Sequence, residues 1–276
     1  MREEYLSRVP EWYRSFEKFD VVLSDDIDGI VSTSALKFAK NWNVEYFYDF
    51  SKLYVSGKTY FKENKSATRV WADVAITRRE KTFDNHISRK NLGDKLNDLC
   101  INPNVITNVT NENYYDKYCG SSALLIWSLY NIPLPETELG KMLLLAIDTT
   151  FKGFYGYNNF KERNRFYLCD VLGFEELYEV EKRHSREEFY DLITKYNLGA
   201  KTTIDKDGYL HTDLDLDFIG KELGIELSIP TDKCFIEWRA LEEHKVNNFY
   251  GDVASIKRLI TLAYTGKNFV MYSTMA

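Results

Sequence analysis

The stretch VVLSDDIDGIVSTSAL, residues 21–36, decides the fold. It begins with three apolar residues, and Ser24 is then followed by three carboxylates within four positions, at Asp25, Asp26 and Asp28. A glycine comes next, and residues 31–41 have the apolar spacing that is typical of a helix. We therefore predict a strand over residues 20–24, with the acids at its carboxyl end, and a helix directly after them.

Strands and helices alternate through the first half of the chain. Further strands are predicted at residues 44–50 and 69–76, and helices at residues 120–130 and 135–147. This alternation predicts the α/β class, with a parallel sheet and crossover helices. In sheets of this kind, ligands bind beyond the carboxyl ends of the strands.

The second half of the chain has a different pattern. Residues 155–200 are predicted to be mostly helical, and short strands are predicted on either side of a turn at Asp207 and Gly208. A helix is predicted at residues 255–266 and a terminal strand at residues 268–273. We therefore divide the chain into an α/β domain at 1–155, a helical connector at 156–195 and a smaller α+β domain at 196–276.

The composition limits the classes of function. The 276 residues are 44% hydrophobic, which is enough for a buried core, and the net charge is −6. A negative charge argues against a general nucleic-acid coat protein, but not against an enzyme whose metal ions supply positive charge locally. The first residues contain no apolar signal-peptide core, no apolar run has the length of a membrane span, and the four cysteines are widely spaced. We therefore predict a cytoplasmic protein with no membrane partner, and the sequence leaves its oligomeric state open.

Acidic residues end a strand or an apolar stretch in four separate segments. Besides the acids after the first strand, these are Asp73 in RVWADVAI, Asp84 in the triplet Asp84-Asn85-His86, and Asp148 after MLLLAI. A carboxylate in such an apolar run is costly to bury alone. Oxygen ligands with an imidazole suit Mn²⁺ or Mg²⁺, and two such ions can activate water and brace a phosphoryl group. The four segments therefore predict a metal site at one edge of the sheet.

Several of these residues also have a simpler interpretation. Asp25 and Asp26 can cap the helix that follows them. Asp148 can be a turn residue at a helix end, and His86 can be an ordinary surface histidine. The coincidence of acids in four segments favours the metal site over these alternatives.

Two features near the triplet are candidates for substrate binding. Arg89 belongs to a group of basic residues that flank the triplet, which can meet phosphates or be solvated turn charges. The helix that begins near Ser121 can hold an anion at its first amides, or its serines can simply cap it.

The order of these residues resembles the motifs of the DHH family of phosphoesterases, over residues 20–155. Ser24-Asp25-Asp26-Ile27-Asp28-Gly29 is similar to the HxDxDG motif, and Asp84-Asn85-His86 is similar to the DHH triplet. Asp73 and Asp148 resemble the single acids of the second and fourth motifs. Residues 119–127, CGSSALLIW, are similar to a helix start in the nanoRNase B-like, RecJ-related branch.

The resemblance implies a dinuclear manganese phosphohydrolase that acts on short oligonucleotides or a related nucleotide. Asp26 would bind the first metal ion, and Asp28 and Asp148 the second. Asp73 would bridge both ions as a catalytic residue. His86 would be the second catalytic residue, meeting the substrate phosphate or serving as a metal ligand. The predicted substrate-binding residues are Asn85, Arg89 and Ser121.

The chain departs from the family where the family has imidazoles. Ser24 replaces a metal-binding histidine, and Asn85 replaces the first histidine of the triplet. Only thirteen positions separate Asp73 from His86, which leaves room for a turn rather than for the usual helix and strand. We therefore predict one tight and one weak site for Mn²⁺ or Mg²⁺, strengthened by Ser24→His and Asn85→His. The alternative is a degenerate, non-catalytic domain that binds a nucleic-acid end or a protein partner.

Overall fold

The computed structural model describes residues 1–61, 69–157, 159–249, 251 and 253–276. Its strands in these ranges are β1 (Asp20–Ser24), β2 (Asn43–Tyr48), β3 (Lys52–Ser56), β4 (Arg69–Ala72), β5 (Lys81–Phe83), β6 (Cys100–Ile101), β7 (Thr202–Ile204), β8 (Leu210–Thr212), β9 (Phe235–Asn247), β10 (Leu259–Gly266) and β11 (Phe269–Met275). Its α-helices are α1 (Glu3–Leu6), α2 (Ile27–Lys40), α3 (Gly57–Tyr60), α4 (Pro103–Ile106), α5 (Ser122–Leu129), α6 (Glu138–Ala146), α7 (Phe160–Arg165), α8 (Glu175–Arg183), α9 (Arg186–Lys195) and α10 (Leu216–Leu223). Short 3₁₀ turns lie at Glu11–Arg14, Tyr114–Asp116, Ile147–Gly153 and Val253–Ser255, and a π-helical turn lies at Phe166–Leu172.

Nine of the described strands form one mixed sheet, in the order β10-β11-β9-β3-β2-β1-β4-β5-β6. The neighbours β2-β1-β4-β5-β6 run parallel. Strands β3, β9, β11 and β10 extend this sheet with antiparallel pairs. The fold class is therefore mixed α/β, and the predicted parallel sheet is one part of a larger mixed sheet.

The first strand–helix–strand unit forms as the sequence predicts. Val21 and Leu23 pack on the helix side of β1, in the largest cluster of the core, whereas Val22 packs on the opposite face. The side chain of Asp26 caps α2 by accepting the Gly29 N–H at 3.1 Å. The helix then crosses over to β2, which pairs in parallel with β1. This crossover confirms the predicted α/β unit.

Two predictions of local structure are wrong. Residues 81–83 form β5 rather than part of a turn, and β5 pairs in parallel with β4 although no helix lies between them. Residues 259–266 form β10 rather than a helix, because they pair with β11 along its length. In both segments, pairing with a neighbouring strand outweighs the local signal.

The sheet curls so that its C-terminal edge meets the segments that follow β4 and β5. Leu262 N–H donates to the Ala75 carbonyl at 2.9 Å, and Tyr264 N–H donates to the Ile87 carbonyl at 2.8 Å. The last three strands therefore continue the sheet that begins at β1. The domain boundaries at residues 155 and 196 stay predictions.

The core has one large cluster beneath the helices and two smaller ones on the inside of the curl. Helices α2, α5 and α6 contribute buried side chains to the large cluster, and Trp127 and Phe47 are among its fully buried members. In the cluster on the opposite face, Trp71 packs with Ile260 from β10. None of the described helices combines the length and the apolar character that crossing a membrane requires.

Candidate functional site

Three neighbouring parallel strands bring most of the predicted site residues to one edge of the sheet. Asp73 directly follows β4, Asp84 directly follows β5, and Asp26 and Asp28 lie just beyond the end of β1. Asp148 comes from the turn that follows α6. The carboxyl groups of these acids influence one another electrostatically, because their charges raise the pKa values of their neighbours. The structure therefore gathers the four acids that the sequence predicts as metal ligands.

Asp28 is buried in the first turn of α2, and its carboxylate binds the start of α5. Its Oδ2 accepts the Ser122 N–H at 2.7 Å, and its Oδ1 accepts the Ala123 N–H at 2.8 Å and the Ser32 hydroxyl at 3.1 Å. Amides at a helix start favour a negative charge. Burial nevertheless raises the pKa of Asp28 to about 7, and the Asp148 charge adds to this rise. Asp28 thus has a structural bond to α5 that the sequence did not reveal.

Asp73 and Asp148 both have left-handed backbone conformations, with φ of 60° and 49°. Asp73 Oδ1 accepts the Ser122 hydroxyl at 3.0 Å, and Asp148 Oδ2 accepts the Asn85 amide at 2.7 Å. Burial raises the pKa of both carboxyl groups, and neighbouring acids add to the rise for Asp73. A strained backbone thus carries two of the crowded acids.

The triplet Asp84-Asn85-His86 fixes the orientation of its own histidine. Asp84 is fully buried, and its Oδ1 lies 2.7 Å from His86 Nδ1. The other Asp84 oxygen accepts the Asn102 amide at 2.9 Å. Burial acts to lower the pKa of His86, but the adjacent Asp84 outweighs it and raises that pKa. With Nδ1 bound to a carboxylate oxygen, His86 keeps Nε2 for a ligand, and its side chain is 32% exposed.

Lys201, which the sequence did not single out, lies against the acids that follow β1. Its Nζ is 2.9 Å from Asp25 Oδ1 and 3.4 Å from Asp26 Oδ2. The next residue, Thr202, donates its N–H to the Asp25 carbonyl at 2.6 Å. Lys201 is 176 positions from Asp25 along the chain, so no local pattern could have shown this contact.

Two buried oxygens at this edge have no hydrogen-bond partner within the described ranges. They are Ser24 Oγ, in a residue that is fully buried, and Asn85 Oδ1, in a residue that is 7% exposed. These are the two residues that stand where the resemblance has imidazoles. Free oxygen acceptors beside carboxylates are the ligands that Mg²⁺ and Mn²⁺ prefer. The chemistry of the donor atoms therefore fits a hard divalent ion.

The acids do not form a complete metal-binding site. In the part of the chain that the structure describes, no group of three His, Cys, Asp or Glu side chains is arranged so that it could hold a metal ion. Both Asp28 oxygens face donors on α5 and α2, and Asp26 is shared between the α2 cap and Lys201. Binding an ion here requires that side chains turn towards a common centre.

The three predicted substrate-binding residues differ in their surroundings. Ser121 is buried and caps α5 by accepting the Leu124 N–H at 3.1 Å, as the simpler interpretation predicts. Asn85 is committed through its amide nitrogen to Asp148. Arg89 is 8% exposed, and its Nε and Nη2 have no partner among the described residues. Only Arg89 thus has free donors that suit an anion.

Comparison of the chain with family models, with curated proteins and with solved structures finds no match. The resemblance to DHH-family phosphoesterases therefore rests on the motifs in the sequence and remains a prediction. The fold and the acid cluster have to be interpreted from their own geometry.

Proposed function

We propose that the chain is a phosphodiesterase of the DHH type, which uses Mn²⁺ or Mg²⁺ to hydrolyse short oligonucleotides or a related nucleotide. The observation that carries this proposal is the crowding of Asp28, Asp73 and Asp148 at the carboxyl edge of parallel strands. Burial raises the pKa values of all three carboxyl groups, and the charges of neighbouring acids add to the rise. A cation would relieve the repulsion among these charges. As part of the same proposal, the enzyme is cytoplasmic.

Each residue has a role that follows from its surroundings. Asp28, Asp73 and Asp148 would hold the divalent ion, with Asn85 Oδ1 as a further oxygen donor. The ion would lower the pKa of a bound water and polarise the phosphoryl oxygens. His86 Nε2 would bind the phosphate or give a proton to the leaving oxygen, because Asp84 holds the opposite ring nitrogen. Arg89 would pair with a phosphate oxygen of the substrate.

A hydrolysis assay tests this proposal. Purified protein is incubated with bis-p-nitrophenyl phosphate or short oligonucleotides, in Mn²⁺, in Mg²⁺ and in a chelator. We expect hydrolysis only with metal, and a loss of roughly tenfold to a hundredfold or more in Asp148→Asn. Asp98→Asn is the matched control, because Asp98 is exposed and pairs with Arg79 outside the cluster. Absence of hydrolysis under every condition would contradict the enzymatic proposal.

One observation favours the alternative of a non-catalytic binding domain. The described residues offer no preformed set of three ligands, and both family imidazoles are replaced. A domain of this kind would bind a nucleic-acid end or a protein partner without cleaving anything. Retention of a labelled oligonucleotide in a chelator, with no cleavage in Mn²⁺, would support this second candidate.

A further inference from the structure

Lys201 makes the contacts that would otherwise be available to a metal ion at one end of the acid cluster. Its ammonium group lies 2.9 Å from Asp25 Oδ1 and 3.4 Å from Asp26 Oδ2. A lysine ammonium is a compact point charge with three donors. Two of these donors can face the carboxylates, and the side chain is 52% exposed, so the third can face solvent or a substrate oxygen.

The backbone holds Lys201 in this position. Lys201 immediately precedes β7, and the Thr202 N–H binds the Asp25 carbonyl at 2.6 Å. Thr202 is itself buried. The start of the β7–β8 hairpin is thus fixed to the loop that follows β1, which keeps the backbone of Lys201 beside these carboxylates.

Both oxygens of the Asp26 carboxylate already have partners. Asp26 Oδ1 accepts the Gly29 N–H that caps α2, and Oδ2 faces Lys201. A divalent ion at this end of the cluster would have to displace Lys201 from both carboxylates. Asp28, Asp73 and Asp148 form the other end, where no lysine or arginine among the described residues makes an ion pair with them.

We infer that the Lys201 ammonium takes the place of one of the two metal ions that the resemblance implies, so that the chain binds a single divalent ion beside this lysine. This inference rests on the proposed function. In this inference the Lys201 ammonium balances the negative charges of Asp25 and Asp26. It would also bind a phosphoryl oxygen of the substrate.

Counting bound metal tests the inference without an activity assay. Equilibrium dialysis against Mn²⁺ is followed by elemental analysis of wild type, Lys201→Met and Lys201→Arg. We expect one Mn²⁺ per chain in wild type and in Lys201→Arg, which keeps the charge, and two per chain in Lys201→Met. Lys206→Met is the matched control and should stay at one, because Lys206 is an exposed lysine of the same hairpin.

The outcomes separate this inference from the proposed function. Two Mn²⁺ per wild-type chain, or one in Lys201→Met, would overturn the role of Lys201 and leave a metal enzyme standing. No Mn²⁺ in any variant would overturn the proposed function and the inference with it. If Lys201→Met does not fold, the electron paramagnetic resonance spectrum of wild type decides. An isolated Mn²⁺ signal at saturation supports a single ion, and a spin-coupled pair overturns the inference.

Discussion

Left-handed backbone conformations at the candidate site place two of its acids. Asp73 and Asp148 have positive φ, and so does Thr149. Aspartate tolerates this region better than most residues, whereas β-branched threonine is a true outlier there. Each such residue costs on the order of 1 to 3 kcal/mol. The surrounding structure therefore stabilises an unfavourable backbone at the point where the carboxylates meet.

Ser24 has less room than the resemblance requires. Its side chain is fully buried, and a Cβ atom on Gly29 would lie 2.1 Å from its Oγ. We expect Ser24→His to lower the free energy of unfolding by about 1 to 3 kcal/mol, because the imidazole overpacks this place. Urea unfolding measures the change.

A smaller substitution serves as the control for Ser24. Ser24→Ala removes only the unpartnered hydroxyl and should leave the stability within roughly 1 kcal/mol of wild type. If Ser24→His instead is as stable as wild type and binds Mn²⁺ more tightly, the packing argument is wrong and the sequence-based prediction for this substitution is right.

At the scale of single elements, the local structure of the opening stretch could be predicted. The apolar run gives β1, and Asp26 caps α2 as its simpler interpretation predicts. The second contact of this loop could not be predicted, because Asp28 binds amides of α5 that lie 94 and 95 positions away. The same limit explains the wrong helix prediction at β10. The spacing of its apolar residues resembles that of a helix, and only the pairing with β11 makes it a strand.

Helix α8 carries a buried acid outside the candidate site. Glu181 is fully buried, its Oε2 accepts the Asn164 amide, and its Oε1 has no partner among the described residues. Burial raises the pKa of Glu181 well above its ordinary value of 4.5, although the Asn164 bond opposes the rise. The folded state therefore disfavours the charged form.

A pH-dependent loss of stability follows from Glu181. The pKa of Glu181 is raised in the folded state. Its contribution to the free energy of unfolding is therefore most favourable below pH 4.5, and stability is lost as the pH rises from there towards the folded pKa. We expect Glu181→Gln to be more stable than wild type at pH 7 by roughly 1 to 3 kcal/mol, and to lose this advantage at pH 4. Urea unfolding at both pH values measures the difference.

The same helix provides the control. Glu179→Gln changes an exposed acid that pairs with Lys182 and should follow the pH dependence of wild type. If Glu181→Gln also follows wild type at both pH values, the buried Glu181 carboxyl does not lower the stability of the folded state at neutral pH.

At the scale of the whole molecule, the sheet joins distant parts of the chain. β9 pairs with β3, and β10 makes backbone bonds to residues after β4 and β5. The sequence could not show this, because only Phe235 of β9 is buried and the partner strand Lys52–Ser56 lies far away along the chain. The four acid-bearing segments could be predicted, since each carries its acid within or just after a local apolar run.

The continuous sheet predicts that the first 195 residues do not fold alone. Without β9 the edge of β3 is unpaired, and without β10 the cluster around Trp71 loses Ile260. We expect a fragment of residues 1–195 to lack the cooperative urea transition and the near-ultraviolet circular dichroism of the full chain. A cooperative transition in this fragment would support the predicted domain boundary at residue 196.

Metal-dependent melting of wild type and Asp73→Asn tests the central claim, that the gathered acids bind a divalent ion. Asn tolerates the left-handed backbone and can still accept the Ser122 hydroxyl, so the variant removes mainly charge. Binding at about 100 times the dissociation constant adds about 2.7 kcal/mol to the folded state. We therefore predict that millimolar Mn²⁺ raises the melting temperature of wild type by about 5 °C or more. Asp98→Asn should respond equally, and Asp73→Asn hardly at all. No Mn²⁺ response in wild type, or an equal response in Asp73→Asn, would contradict the account.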